Sequence, residues 1–286
     1  MKLLTSWPWT SAERIESLVN MIEPMVRLFG DSVQVGHELS CRFGPSGVCP
    51  DRLLFEIDPT WMRTGHHAQL LMELSMPEAM KKDLQQDMRH AHQFLFAAEA
   101  SSGGAELRTY LGFAQPGHPQ QPGLVMRGFK WCHGRERVSN YWHVPVSAHT
   151  LAIQGEQQSR LPVHAGVVWS VLMQILNAAL VNGQGLDMIE MWAVTEPTTP
   201  RGSVCLRLYE TGLCVADVAL ALEQLVTIWP SCAVSFENVI RAMGPRPLGW
   251  LAAGIDSAGL PFMTVYCEAG NQDVRTLLEE AGVAYA

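Results

Sequence analysis

The strongest constraint on this chain is a period-two pattern of apolar and polar residues, found in paired segments and separated each time by a helical pattern. Between 33 and 43, Val33, Val35, Leu39, Cys41 and Phe43 fall on one side, and Gln34, Gly36, Glu38, Ser40 and Arg42 on the other. That is the spacing of a strand with one buried face. The breaker-rich Gly44-Pro45-Ser46-Gly47 follows, then a second alternating segment at 52–57, so the pair reads as a hairpin. Further hairpins are expected at 123–146, 187–209 and 248–268, turning at His133-Gly134-Arg135, Thr198 to Gly202, and Asp256 to Gly259.

A helical segment precedes each hairpin. Residues 10–29 open with a Thr10/Glu13 capping box and end at Gly30. The pattern over 66–98 is interrupted by Pro77. A third helix starts at Val163, a fourth covers 215–229, and a short one is expected at 274–281. Helix then hairpin, four times without sequence identity between units, is a structural repeat. The richest loop, 115–123, is too short to separate domains, so one domain over 1–286 is expected.

The polar faces narrow the architecture. Leu53, Phe55 and Ile57, then Val204, Leu206 and Leu208, then Met263, Val265 and Cys267 would pack on helices. Opposite them lie Arg52 and Glu56; Tyr141 and His143; Cys205, Arg207 and Tyr209; Thr264, Tyr266 and Glu268. A solvated face would carry Lys, Glu, Ser and Thr; Tyr, Arg, His and Cys suit a wet enclosed lumen. Closure also removes unpaired strand edges. The expected fold class is α+β: an antiparallel β-barrel with a polar lumen, ringed by α-helices.

Composition removes several functions. A formal charge of −8 argues against a nucleic-acid surface, which would need a basic face. The seven cysteines contain no C-x-x-C pair, which suits reduced thiols and a cytoplasmic location. The start lacks an apolar run of signal-peptide length, and Ser170, Gln174 and Asn177 interrupt the apolar stretch 163–181, so no membrane partner is expected. There is no DDxxD, P-loop or nucleophile elbow, and His66-His67 and His90-x-His92 lack a third ligand at metal spacing.

The motif Glu38-Leu39-Ser40-Cys41-Arg42, followed by Arg52-Leu53-Leu54-Phe55-Glu56, resembles paired strands of the cyanobactin-type peptide prenyltransferases. Tyr141-Trp142-His143-Val144, Leu206-Arg207-Leu208-Tyr209 and Leu251-Ala252-Ala253-Gly254 fall in that family's order. The resemblance implies the ABBA barrel of ten antiparallel strands ringed by helices. Family members continue into a fifth C-terminal hairpin. Here 3–9 and 105–113 have the strand character to complete the barrel.

The resemblance also implies transfer of an isoprenyl unit from its diphosphate to a small, ribosomally made and macrocyclic peptide. A small aromatic metabolite as acceptor, or a silent binding barrel, are the alternatives. Glu38 would be the base. Arg52, Tyr141, His143, Arg207, Tyr209 and Tyr266 would bind the diphosphate, with Arg42 and Lys130 as additions and Mg2+ bridging phosphate oxygens; no organic cofactor is implied. An ion pair of Arg207 with Glu268, or of Glu38 with Arg42 or Arg52, is the structural alternative. Leu251, Ala252 and Phe262 would line the prenyl chain, and the small residues there favour geranyl or longer donors over dimethylallyl. Trp131 and Trp250 read as core.

Overall fold

The computed structural model describes residues 37–50, 52–57, 66–101, 104–114, 117–132, 134–147, 163–182 and 185–270, with a few isolated positions outside these ranges. Of the expected first helix only Glu16, Asn20, Glu23 and Pro24 are described, all helical; 3–9 and 274–281 lie outside the described residues.

Ten antiparallel strands close into a barrel. In chain order they are β1 (His37–Gly44), β3 (Arg52–Ile57), β4 (Ala91–Ser101), β5 (Gly104–Phe113), β8 (Leu124–Cys132), β9 (Arg135–Val144), β10 (Glu190–Thr195), β11 (Gly202–Arg207), β12 (Leu248–Ile255) and β13 (Pro261–Ala269). Each pairs with the next, and β13 returns to β1 through seven residue pairs from His37↔Ala269 to Phe43↔Met263. The short β2 (Gly47–Cys49) pairs on β1, while β6 (Gly117–His118) and β7 (Gln121–Pro122) make a separate ladder. Closure leaves every one of the ten strands with two neighbours, so the barrel has no free edge.

The fifth hairpin is internal. It is β4–β5, and its first strand occupies 91–101, where helical patterning was expected to run to Ala98. The helices there end earlier: α1 (His66–Glu73) and α2 (Glu78–Met88) meet at Pro77, which caps α2. Phe94, Phe96 and Ala98 face the helices and alternate with cavity-facing Gln93, Leu95 and Glu99. The segment therefore carries a strand period of two beneath its helix-like composition. The stretch at 105–113, expected to have strand character, is its partner β5.

Outside the barrel lie α1, α2, α3 (Val163–Val181), α4 (Ala219–Ile228) and α5 (Ala233–Met243); α5 was not expected from the sequence. Phe43, Phe55, Leu206, Met263 and Val265 are fully buried between these helices and the strands. α3 is long and apolar enough to cross a bilayer, but Val168, Val171, Leu172, Ile175, Leu176 and Ala179 on one face are buried in the same core, which accounts for its hydrophobicity. Trp131, expected in the core, is there, and its Nε1 donates to the Leu74 carbonyl at 3.0 Å, tying β8 to the end of α1.

All five hairpins turn at the same end of the barrel, because each first strand runs toward that end and each second strand runs back. Residues near the turns and residues near the opposite end therefore form two separate groups inside one lumen.

Candidate active site

The lumen holds a cavity of about 570 Å³, within the ~300–1,000 Å³ usual for small-molecule sites. Its wall is built from the alternate residues of the strands: Glu38 and Arg42 from β1, Arg52 and Glu56 from β3, Cys205 and Arg207 from β11, Thr264, Tyr266 and Glu268 from β13. Two glycines hollow it. A Cβ on Gly128 would stand 2.7 Å from the Tyr110 ring, and one on Gly249 would stand 2.5 Å from Cζ of Tyr209. Only glycine lets those rings lie flat against the strands.

The turn end is cationic. Arg52 Nε meets Glu99 Oε2 at 3.1 Å and its Nη1 donates to Thr264 Oγ1 at 3.2 Å. Arg108 bonds both Glu99 and Glu106, and Arg137 bonds Glu106. Lys130 Nζ lies 3.0 Å from Glu196 Oε1, with Arg201 at 3.7 Å and the hydroxyls of Ser139 and Ser257 both donating to that carboxylate at 2.6 Å. Arg42 pairs with Asp256 and lies over Phe262, 4.4 Å from the ring centroid. Six cations thus face four carboxylates, an excess of two positive charges in a buried network.

Against the pull of burial, Arg108 and Arg52 hold Glu99 far below the ordinary carboxylate range, and Lys130 and the serine hydroxyls do the same for Glu196. Burial, with Arg201 and Arg108 beside it, pushes the Lys130 ammonium well down. An incoming anion would relieve that stress on Lys130.

The opposite end is acidic and aromatic. Burial lifts Glu38 from 4.5 to about 7, helped by Glu56 and opposed by the Tyr209 hydroxyl, Arg207 and Trp250. Tyr209 donates its hydroxyl to Glu38 Oε1, and burial together with that carboxylate pushes the phenol far up. Between the two ends stand Tyr110, Tyr141, Tyr266, Trp192 and Trp250. The Trp192 and Trp250 rings are 4.5 Å apart, and Tyr141 meets Trp192 and Tyr110 edge-on. Burial raises Tyr266 and Cys205 to about 12 and about 11.

Of the residues singled out in the sequence, Glu38, Arg52, Tyr141, Arg207, Tyr209, Tyr266, Ala252 and Phe262 all line this cavity, as do Arg42 and Lys130. His143 does not: it is exposed near the end of β9 and outside the cavity wall. Leu251 points the other way and is buried with the helices; one residue of shift along a strand reverses the face. Trp250, expected in the core, lines the lumen. The Arg207–Glu268 pair does not form; Arg207 pairs with Glu210, which follows β11. Nor does Glu38 pair with Arg42 or Arg52, whose partners are Asp256 and Glu99. Arg207 and Tyr209 both act on Glu38, Tyr209 through its hydroxyl, while Arg207 is paired with Glu210. Sequence reasoning missed Glu99, just past the segment expected to be helical, Glu106, Arg108 and Tyr110, on the stretch expected to have strand character, and Arg201, hidden in a turn.

A closed ten-stranded antiparallel barrel with a polar lumen and an outer helical layer is the ABBA prenyltransferase fold. Solved structures bear this out. The 5-dimethylallyl tryptophan synthase from Streptomyces coelicolor, in complex with DMASPP and Trp, matches with a TM-score of 0.61 at 14% identity, over 91% of this chain and 94% of that one. NotF in complex with brevianamide F and DMSPP matches with a TM-score of 0.54 at 12% identity, over 82% and 80%. No family model matches the sequence, and no curated protein matches it.

Proposed function

We propose that this protein transfers an isoprenyl group from its diphosphate to a small aromatic acceptor. The observation that carries the reading is the polarity of one enclosed lumen: a buried excess of cations at the turn end, a carboxylate poised near neutrality at the other, and aromatic rings between them. The neighbours' named ligands, DMASPP with Trp and DMSPP with brevianamide F, support a small aromatic acceptor over the macrocyclic peptide that the family resemblance implied.

The diphosphate lies among Arg52, Arg108, Lys130 and Arg201, with the Tyr266 ring beneath Arg52 and Arg42 over Phe262. Charge-assisted bonds of this kind contribute about 1.5–3 kcal/mol each. The C1–O bond breaks and its electron pair leaves with the diphosphate. The allylic cation meets the faces of Tyr110, Tyr141, Tyr266, Trp192 and Trp250, each worth about 0.5–2 kcal/mol, which also exclude water. The acceptor's ring atom forms the new bond to C1, and the proton it releases passes to Glu38. Protonated Glu38 is re-ionised at neutral pH because its value lies at about 7.

Mg2+ does not fit the residues of this cavity. Among the described residues there is no group of three or more His, Cys, Asp or Glu side chains arranged to hold a metal, and the carboxylates beside the diphosphate region are each held by a guanidinium or ammonium group. The mechanism therefore routes no step through a metal.

Room for the donor chain lies along Thr264, Ala252 and Cys205, which face each other across three adjacent strands. These short side chains support a geranyl or longer donor. The experiment is incubation with dimethylallyl, geranyl and farnesyl diphosphates against indoles, phenols and cyclic peptides, read by mass. Prenylated indoles or phenols support the proposal; prenylated peptides alone, or diphosphate bound without transfer, overturn it.

A further inference from the structure

The two ends of the cavity treat their charges differently. At the turn end Glu99, Glu106, Glu196 and Asp256 each have a cation partner. At the far end Glu56 and Glu268 have no ion-pair partner among the described residues, and Glu38 is met by a neutral phenol. These three carboxylates stand together: Glu38 and Glu268 are directly opposite across β1 and β13, and Glu56 acts on Glu38 through space. Arg207 is the one cation lining this end among the described residues, and Glu210 already holds it. Beside them Trp250 and Trp192 form an aromatic wall, and the indole N–H of Trp192 is buried with no hydrogen-bond partner.

A carboxylate pair lining a ligand-sized cavity, Glu56 half-buried and Glu268 exposed, left without ion-pair partners and set against an aromatic wall, is a receptor for a cation attached to a ring. We infer that the acceptor is an aromatic amine carrying a net positive charge, its ammonium group held by Glu56 and Glu268 while its ring lies on Trp250 with the reacting edge toward Glu38. This deepens the proposed prenyl transfer and rests on it. A carboxylate on the acceptor would find only Arg207, already committed to Glu210, and would face Glu56, Glu268 and the partly ionised Glu38. The inference therefore separates a monocationic amine from the zwitterionic amino acid built on the same ring. The same field keeps the donor's diphosphate at the opposite end, so each substrate is directed to its own half of the lumen.

The test uses four indoles of one ring and different charge: tryptamine, tryptophan, tryptophol and indole-3-propionate. Binding to the full chain is measured by calorimetry without donor, and kcat/KM is measured with geranyl diphosphate. Tryptamine is expected to lead tryptophol and tryptophan by about tenfold or more, the yield of one charge-assisted contact, with indole-3-propionate last. The lead should shrink as salt rises. Double substitution Glu56→Gln/Glu268→Gln should collapse the tryptamine-to-tryptophol ratio through KM rather than kcat. Equal binding of tryptamine and tryptophol, or a ratio untouched by the double substitution, overturns the charge inference even if prenyl transfer is seen. Absence of transfer to every indole overturns the prenyltransferase reading, while the calorimetric order still decides the charge inference.

Discussion

At the scale of single residues, Glu38 and Glu99 show how one lumen moves two carboxylates in opposite directions. Glu38 is short of cations, so burial wins and its value rises to about 7; as the proposed base it must be ionised, and kcat/KM should climb with pH through about 7 and then level. Glu38→Gln should lower kcat/KM by about 10²–10⁴ and abolish that rise. Its effect on stability has the opposite sign. A carboxyl raised above 4.5 in the fold keeps its proton more tightly than the unfolded chain does, so the folded state loses stability between about pH 4.5 and 7 as pH increases. Glu38→Gln should therefore be more stable than wild type at pH 8, by about 1–3 kcal/mol, and no more stable at pH 4, as read by urea titration. For Glu99 the native value is depressed, so its stabilisation is present at neutral pH and lost as pH falls below about 4.5. Removing it leaves Arg52 without its carboxylate and Arg108 with Glu106 alone: Glu99→Gln should cost about 3–5 kcal/mol at pH 7 and show a flatter acid limb in thermal melts.

Elements decide whether those residues meet at all. Glu38 owes its phenol partner to two separate pieces of chain, β1 for the carboxylate and the turn after β11 for Tyr209, brought into contact over Gly249 of β12. Gly249→Ala should push the Tyr209 ring away, lowering stability by about 1–3 kcal/mol and shifting the pH–rate midpoint upward as the carboxylate loses a donor; an unmoved midpoint would show that Tyr209 does not tune the base. The hairpin β4–β5 is the other decisive element. It supplies Glu99, Glu106, Arg108 and Tyr110; Ala- and Glu-rich composition masked its first strand, while the second showed its strand character. Its period-two signal, Phe94/Phe96/Ala98 against Gln93/Leu95/Ala97, was present in the sequence but short and interrupted by alanines with no strong strand preference.

For the whole molecule, closure of the barrel creates both the cavity and its charge separation. Because every hairpin turns at the same end, polar residues near the turns collect into one cluster and those near the opposite end into another, although they alternate along the chain. In the proposed transfer the donor chain occupies the middle, against Ala252 and its neighbours Thr264 and Cys205, which are paired across adjacent strands. Ala252→Phe should move the preference from geranyl to dimethylallyl diphosphate by tenfold or more, since a filled pocket excludes the extra five carbons, which are worth about 0.8 kcal/mol per methylene; competition between the two donors, read by product mass, checks this.

The sequence alone determined which residues alternate, and so that most hairpins present an apolar face to helices and a polar, aromatic face to a lumen; it also named Glu38 and Arg52, because their place in a strand fixes the side they face. It could not determine which polar residues become partners. Arg207 with Glu210 rather than Glu268, Arg52 with Glu99, Trp250 in the lumen and His143 outside it all depend on strand register and on how far around the barrel each strand stands. Those are properties of closure, set by hydrogen-bond pairings between strands up to 232 residues apart, such as His37 with Ala269, and no local pattern encodes them.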